Sequence, residues 1–206
     1  KDAFERIGKI KEGNWHPIVA SSKTTYYRNK LEYTFSDQRW LDESDMDREN
    51  RPDLNGLGFH IPKRFDKILD VKECFLQPEP SNSIRLWTKA YAEKHKLSFF
   101  NLRAQTGMLR NLMIRTTASG ELMVLFLISE NHPDELKAML TAMKEAFPQI
   151  TSLQTILNQK RNDVYSDLKA RVFSGTDVVM EVMEDLKFRV GPTSFYQTNA
   201  DQALVL

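Results

Sequence analysis

One uninterrupted apolar segment, Leu122 to Ile128, constrains the fold of this chain more than any other stretch. It has the length of a strand and is apolar at every position, so both faces of that strand must be covered. A second strand-like segment, Leu109 to Thr116, precedes it across a turn at 118–120. We therefore expect Leu122 to Ile128 to be a central strand of the sheet that builds the core.

Two further segments have the periodicity of amphipathic helices. The first can be capped by Ser81 or Ser83 and continues to about Lys96. The second begins at Pro133 and ends before Pro148. Their apolar stripes are Ile84, Trp87 and Tyr91 in the first helix and Leu136, Met139, Leu140, Met143 and Phe147 in the second.

Several segments alternate apolar and polar residues, as half-buried strands do. In residues 26–35, one face carries Leu31, Tyr33 and Phe35. The other segments are Gly56 to Pro62, Lys67 to Cys74, Ile150 to Leu157 and a final hairpin of 175–183 with 186–190. This order predicts an α+β domain over residues 1–190, with a mostly antiparallel sheet and two long helices packed on one face.

The composition indicates a globular protein without a membrane partner. Of the 206 residues, 41% are hydrophobic and 28% charged, as is usual for soluble domains. No segment approaches the roughly 20 apolar residues of a membrane-spanning helix. One cysteine excludes an intramolecular disulfide and favours a reducing compartment, so we expect a cytoplasmic protein. Nothing in the sequence indicates an obligate protein partner.

The charges are unevenly distributed, although the net charge is only +1. Acidic residues predominate over 41–53 and basic residues over 85–115. Four cations at strand ends are suited to phosphate contacts, namely Arg28, Lys30, Arg110 and Arg115. Composition alone favours the alternative that these cations are solvated and only improve solubility.

The closing segment, residues 191–202, leads from the last strand into a helix. Asn199 and Gln202 have the spacing of a capping box, in which each side chain satisfies a backbone donor. This helix stops at Leu206 after about two turns, and the chain starts with Lys1 rather than Met. We therefore expect the chain to be a fragment of a longer protein.

Phe195 and Gln197 stand just before that helix. An aromatic ring can stack on a nucleobase, and a glutamine can donate and accept hydrogen bonds to a polar ligand. More often, such residues serve as core plugs and as partners of local backbone. The residues alone leave both interpretations open.

Cys74 is the sole thiol. A nucleophilic cysteine needs a base or cation that lowers its pKa, and the adjacent Lys72 and Glu73 identify no such partner. An iron–sulfur site needs about four cysteines, and the four histidines lack metal-ligand spacing. From the residues alone, an inert buried thiol is favoured.

Five segments occur in an order that is familiar from one enzyme family. They are Tyr26-Tyr-Arg-Asn-Lys-Leu-Glu-Tyr-Thr-Phe-Ser36, Gly58-Phe-His60, Asp70-Val-Lys-Glu-Cys74, Gly107-Met-Leu-Arg-Asn-Leu-Met-Ile-Arg115 and Phe195-Tyr-Gln-Thr-Asn-Ala200. Together they resemble the bacterial RNA (uracil-5-)-methyltransferases of the RumA type, which act on 23S ribosomal RNA and are related to the tRNA enzyme TrmA. The resemblance covers nearly the whole chain, and YRNK and FxQxNA are its most specific parts.

The resemblance implies a domain organisation and a function. That family has an N-terminal oligonucleotide-binding barrel, a central α+β domain and a C-terminal Rossmann-like methyltransferase domain. Residues 1–190 would be the central domain, and 191–206 the lead-in to a truncated catalytic domain that is missing. The parent enzyme would use S-adenosylmethionine and act on ribosomal RNA. The alternative is a non-catalytic RNA-binding or interaction module.

The resemblance also assigns individual residues. Gln197 corresponds to the glutamine that contacts S-adenosylmethionine, and Phe195 to the aromatic next to the target uracil. Cys74 corresponds to the last cysteine of a [4Fe-4S] site in members that carry one. Because the other three cysteines would lie upstream of Lys1, we expect no cluster in this fragment. The residues expected to bind RNA are Arg28, Lys30, Arg110 and Arg115.

The family's chemistry implies that the catalytic groups lie elsewhere. A cysteine thiolate adds to carbon 6 of uracil, and carbon 5 then attacks the methyl group. A base removes the carbon 5 proton and the thiolate leaves. The cysteine, the carboxylate base and the glycine-rich cofactor pocket correspond to positions beyond Leu206. We therefore expect no catalytic residue in this chain, and Cys74 is not the nucleophile.

Overall fold

The computed structural model of the chain describes residues 2–10, 13–45 and 53–205. Its strands are β1 (Lys30–Ser36), β2 (Gly56–Ile61), β3 (Arg64–Asp70), β4 (Leu109–Thr116), β5 (Leu122–Ile128), β6 (Ser152–Leu157), β7 (Arg171–Gly175), β8 (Val179–Met183) and β9 (Leu186–Val190). Its α-helices are α1 (Ser81–Lys94), α2 (Pro133–Ala146) and α3 (Ala200–Val205). Short turns of π and 3-10 helix lie at Ala3–Ile7 and Glu43–Asp45.

Seven strands form one sheet in the order β3-β2-β1-β4-β5-β6-β7, and β8 pairs with β9 separately. All neighbours in the large sheet are antiparallel except β5 and β6, which are parallel and connected through helix α2. Parallel neighbours need such a crossover because a hairpin cannot join them. The predicted mostly antiparallel α+β fold is confirmed.

Strand β5 is an interior strand of this sheet that is covered on both faces, as its composition predicts. Every residue of Leu122–Ile128 is buried, between β4 on one side and β6 on the other. Fully burying an aliphatic or aromatic side chain stabilises a fold by about 1.5–3 kcal/mol. This strand is therefore a major source of the stability of the domain.

The two faces of the sheet are covered by different elements. Helices α1 and α2 cover one face, where Ile84 and Met139 belong to the same apolar cluster as Phe126. The β8–β9 hairpin covers the other face, where Val179 and Val190 join a cluster with further β5 side chains. The expectation that both long helices pack on one face is therefore confirmed.

Several predicted boundaries are wrong. Of residues 26–35, only those from Lys30 onward form a strand, and β7 has no counterpart among the predicted strands. Neither Ser81 nor Ser83 caps α1, because no side-chain cap bond is present and the Ser81 hydroxyl instead donates to Gln77 Oε1 at 2.5 Å. Residues 46–52 of the predicted acidic loop lie outside the described residues.

The sequence predicts that no segment forms a membrane-spanning helix. Over the described ranges of the chain, the helices lack the combination of length and apolar character needed to cross a membrane.

Candidate functional site

The segment that precedes α3 is fastened through its backbone carbonyls to one end of β1 and β4, two interior strands of the main sheet. The Asn29 N–H donates to Thr198 O at 2.8 Å, and Asn29 Nδ2 donates to Gln197 O at 3.0 Å. A few residues earlier, Arg115 Nη2 donates to Ser194 O at 2.9 Å. Three hydrogen bonds from the ends of β1 and β4 therefore fix the path of residues 194–198.

Helix α3 is anchored by its N-terminal cap. Asn199 Oδ1 accepts a hydrogen bond from the Gln202 N–H at 3.0 Å, which is one half of the predicted capping box. The Asn199 amide also donates to Ser21 Oγ at 3.2 Å. Lys23 and Asp201 form an exposed ion pair at 2.6 Å. The start of α3 is thus connected to residues near the beginning of the chain.

This anchoring leaves Phe195 and Gln197 pointing outward. The Phe195 side chain is 86% exposed, and that of Gln197 is exposed as well. Tyr196, between them, turns inward, with its ring centroid 5.8 Å from that of Phe188. Burial raises the pKa of Tyr196, and Glu181 adds to this effect. A fixed backbone with an exposed aromatic and an exposed amide can present both to a ligand.

Arg115 lies underneath this segment rather than on the surface. Its side chain is 2% exposed, and it faces Lys30 across the β1–β4 ladder. Burial lowers the pKa of Arg115, while Tyr165 and Glu181 act in the opposite direction. In this position Arg115 holds the closing segment, and its predicted contact with RNA stays a prediction.

Lys30 belongs to the same polar network. Burial lowers the pKa of Lys30, Glu32 raises it, and the nearby charge of Arg115 lowers it further. The Tyr165 hydroxyl donates to Glu32 Oε2 at 2.9 Å. Glu32 therefore lies close to a cation and a phenol, and its charge offsets part of the repulsion between Lys30 and Arg115.

Arg28 is the predicted RNA residue that lies closest to the surface beside α3. It is half-buried, lines a cavity of about 120 Å³ with Ala200 and Asp201, and lies 6.0 Å from the Tyr27 ring. Its Nε atom is buried without a hydrogen-bond partner. Three of the predicted RNA residues thus lie around the closing segment, which itself carries Phe195 and Gln197. They are Arg28, Lys30 and Arg115.

Arg110 lies at the opposite end of β4. It is 2% exposed, and its guanidinium donates to the carbonyls of Asn158, Lys160 and Asn162 and to Asp163 Oδ1, at 2.6–3.1 Å. It also lies over the Phe100 ring, 4.7 Å from the centroid. These contacts organise the loop after β6, and a direct role in RNA binding stays a prediction.

Cys74 is buried in the apolar core below α1. Its backbone N–H donates to Asn82 Oδ1 and its carbonyl accepts from Asn82 Nδ2, both at 3.0 Å. No group of three or more histidine, cysteine or acidic side chains that could hold a metal occurs in residues 2–10, 13–45 and 53–205. The described residues therefore do not fit an iron–sulfur cluster, and the implied role of Cys74 has no support.

Asn29 is the functional residue that sequence reasoning missed. It lies in the YRNK segment, where only the two cations were given a role. Its two contacts join positions separated by 168 and more residues, which no local pattern reveals. The one available signal is an amide that can both donate and accept beside a strand end.

Comparisons with known proteins relate this geometry to a class of enzymes. No protein-family model matches the chain. The chain is 50% identical to an uncharacterized RNA methyltransferase of Bacteroides thetaiotaomicron, over 98% of this chain and 46% of that protein. It is 45% identical to an uncharacterized RNA methyltransferase of Porphyromonas gingivalis, over 100% of this chain and 45% of that protein. The chain thus spans about half the length of these relatives.

A solved structure has a similar fold. It is the crystal structure of Pyrococcus abyssi tRNA (uracil-54, C5)-methyltransferase in complex with S-adenosyl-L-homocysteine. The match has a TM-score of 0.68 and 26% identity, and it covers 91% of this chain and 40% of that one. The chain is thus similar to part of proteins that are named as RNA methyltransferases, one of which is named as a tRNA uracil-5 enzyme.

Proposed function

We propose that this chain is the RNA-contacting part of a longer S-adenosylmethionine-dependent enzyme that methylates carbon 5 of a uridine in 23S ribosomal RNA. Residues 1–190 are its central domain, and residues 191–206 lead into its catalytic domain. The enzyme works in the cytoplasm, with ribosomal RNA as its partner and without a membrane or an obligate protein partner.

The observation that carries this proposal is the held but outward-facing pair Phe195 and Gln197. Ordering a loop upon binding costs free energy, and a loop that is already fixed avoids that cost. Asn29 and Arg115 hold the backbone of this loop, while both side chains remain free to contact ligands. This combination favours a binding segment over a core plug, because a plug would not be 86% exposed.

Each residue of the pair has a distinct role in the proposal. Phe195 stacks on the target uracil or on its neighbour, an interaction worth about 1–3 kcal/mol per base. Gln197 holds S-adenosylmethionine, which supplies the methyl group, by donating and accepting hydrogen bonds. Arg28 and Lys30 neutralise phosphates of the same RNA strand. These four residues bind and orient, and the reacting thiolate and base come from another domain.

The similarity to a tRNA enzyme supports transfer RNA as an alternative substrate. The structural relative is named as a tRNA (uracil-54, C5)-methyltransferase, whereas the five segments resemble enzymes that act on 23S ribosomal RNA. The reaction at carbon 5 of uridine is the same in both cases. Transfer RNA is therefore the alternative substrate, and a direct competition between the two RNAs separates them.

Methyl transfer by the product of the whole gene tests the proposal. The protein is incubated with methyl-labelled S-adenosylmethionine and either 23S ribosomal RNA or tRNA, and the nucleosides are then separated. We expect label in 5-methyluridine from ribosomal RNA. Label in tRNA alone would mean that tRNA, and not ribosomal RNA, is the substrate. RNA binding without methyl transfer would favour the non-catalytic module.

Two variants test the assigned roles in the same assay. We expect Gln197→Ala to raise the KM for S-adenosylmethionine and Phe195→Ala to weaken RNA binding about tenfold, as loss of one stacked base predicts. Leu186→Ala is the matched control, because Leu186 is also an exposed apolar residue, on strand β9. Equal effects of Phe195→Ala and Leu186→Ala would remove Phe195 from the site.

A further inference from the structure

A second polar cavity lies far from Phe195, at the other end of strand β4. It has a volume of about 440 Å³, which is large enough for one nucleotide. Its walls come from the loop after α1, the residues that follow β5 and the loop that follows β6. In open α/β sheets, ligands bind beyond the carboxyl ends of the parallel strands, and this sheet has one such pair. This cavity lies beyond the carboxyl ends of β5 and β6, the parallel pair of the sheet.

The cavity wall formed by residues 158–163 is organised before any ligand arrives. Arg110 donates to three carbonyls of this loop and to Asp163, and its own Nε is buried without a partner. Lys160 is held by Asp167 at 2.5 Å. A loop fixed in this way loses little conformational freedom when it binds a ligand.

The groups that line the cavity match the two parts of a nucleotide. Arg161 and Gln159 are exposed, and within the described part of the chain neither side chain has a hydrogen-bond or ionic partner. A guanidinium is suited to a phosphate, and an amide to the edge of a base. Gln105 donates to Leu102 O at 2.7 Å, which leaves its side-chain carbonyl oxygen as an acceptor.

The acidic side of the cavity argues against a free phosphate as the ligand. Glu130 accepts the Gly107 N–H at 2.6 Å, and this bond, followed by that from His132, lowers the pKa of Glu130. A carboxylate repels phosphate but accepts hydrogen bonds from a ring N–H, as in uracil, or from the amino group of a base. Of the three cations that line the cavity, Arg110 and Lys160 are paired with carboxylates, so Arg161 on one wall and Glu130 on another suit the two chemically different ends of a nucleotide.

We propose that this cavity binds one nucleotide of the RNA substrate, with its phosphate on Arg161 and its base against Gln105, Gln159 and Glu130. The inference rests on the proposed function, because it takes RNA as the ligand. Arg110 and Arg115 lie five positions apart on β4, which corresponds to about 17 Å of strand. A single RNA strand that contacts Phe195 therefore has to cross the sheet to reach the cavity.

Binding of a labelled single-stranded oligouridine to the 206-residue chain tests this proposal by fluorescence anisotropy over a range of salt concentrations. We expect Arg161→Ala to weaken binding about five- to tenfold at low salt and to reduce the slope of log K against log salt by about 0.7, as loss of one phosphate contact predicts. Arg161→Lys should keep most of that slope. Gln159→Ala should weaken binding without changing the slope.

The controls separate this inference from the proposed function. Lys144→Ala removes an exposed cation in the last turn of α2, away from the cavity, and should leave affinity nearly unchanged. If Phe195→Ala weakens binding while Arg161→Ala behaves like Lys144→Ala, the cavity site is wrong and the proposed function stands. If the wild-type chain does not bind RNA at low salt, the cavity site and the assignment of RNA contacts to this chain are both wrong, while methyl transfer by the whole protein still tests the enzyme activity. An unchanged affinity for Gln159→Ala would contradict the base contact.

Discussion

Strand β4 carries a buried arginine near each end, and the two are satisfied in different ways. Arg110 donates four hydrogen bonds and covers an aromatic ring, and one of its partners is a carboxylate. In the described part of the chain, the guanidinium of Arg115 makes one hydrogen bond, to Ser194 O. Both side chains are 2% exposed. Two arginines that are buried to the same extent are therefore stabilised by different numbers of polar partners.

Both arginines hold a segment in place, but Arg110 supplies more hydrogen bonds to its loop than Arg115 supplies to residues 194–198. Burying a guanidinium is costly unless its donors are paired, and the cost falls as more partners are supplied. Arg110 meets most of this requirement through four bonds from its two Nη atoms, although its Nε has no partner, so the loop over 158–163 is firmly held. Arg115 meets it only in part, which is consistent with the lowering of its pKa by burial. The segment that carries Phe195 and Gln197 is therefore the more adjustable of the two.

The largest expected effect is the loss of Arg110. We expect Arg110→Met to lower the free energy of unfolding by about 3 kcal/mol, because three carbonyls and Asp163 lose a charged donor. Urea unfolding of the chain, followed by circular dichroism, measures this change. Arg110→Lys keeps the charge but not the fork of donors, so it should recover only part of the loss. A smaller loss of unfolding free energy for Arg110→Met than for Arg115→Met would contradict the proposed difference between the two arginines.

A smaller effect is expected for Arg115. We expect Arg115→Met to lower the free energy of unfolding by about 1–2 kcal/mol. The variant loses one hydrogen bond, but it also avoids the cost of burying a charge, so the loss is smaller than for Arg110→Met. Locally, hydrogen exchange at the Asn29 amide, which donates to Thr198 O, and at the Gln202 amide should accelerate, because residues 194–198 lose a support. Amide exchange followed by NMR reports both sites. Unchanged exchange there would show that Arg115 does not hold the segment.

The pH dependence of stability tests the network around Arg115. Burial, and then Glu32, raise the pKa of Tyr165 above its ordinary value near 10. The unfolded chain therefore ionises Tyr165 first, so its contribution is complete below about pH 10 and is lost as pH rises further. We expect a loss of about 1 kcal/mol per pH unit above pH 10.

Tyr165→Phe provides the control for that prediction. The variant lacks the ionising group, so its free energy of unfolding should fall less steeply above pH 10 than that of the wild type. Both proteins are compared by urea unfolding at matched ionic strength. Parallel curves for the two proteins would mean that the pKa of Tyr165 is the same in the folded and unfolded chains.

The smallest effect is expected for Asn29. Asn29→Ala removes the bond to Gln197 O but also a buried Oδ1 that has no partner, so we expect a net cost of only about 0.5 kcal/mol. Asn29→Asp removes the same donor and places a carboxylate near a carbonyl, so it should cost more. Thermal unfolding of the two variants ranks them. The reverse ranking would show that the amide contact contributes nothing.

The parts of the fold that the sequence predicts are those governed by local pattern. Leu122 to Ile128 is central because continuous apolarity requires cover on both faces. Helix α2 is correctly placed because Pro133 fixes its start and Met139, Leu140 and Met143 fall on one stripe. In contrast, Leu186, Phe188 and Val190 alternate along the last predicted strand and share one face, yet of the three only Val190 is buried.

The candidate site was less predictable because its contacts span long sequence separations. Arginine at a strand end is normally a surface residue. Burial of Arg110 depends on carbonyls 48 to 52 positions away, and burial of Arg115 on a carbonyl 79 positions away. Such partners are visible only after folding. Phe195 and Gln197, by contrast, came from a resemblance, and the structure adds that both are exposed on a held backbone.

The most direct test of the account is a measurement of 5-methyluridine in cellular RNA. The gene that encodes this chain is deleted in its host, and nucleosides from 23S ribosomal RNA and from tRNA are quantified by mass spectrometry. The account predicts that one or more 5-methyluridines disappear from 23S ribosomal RNA and return when the gene is restored. Unchanged 5-methyluridine in both RNAs would contradict it.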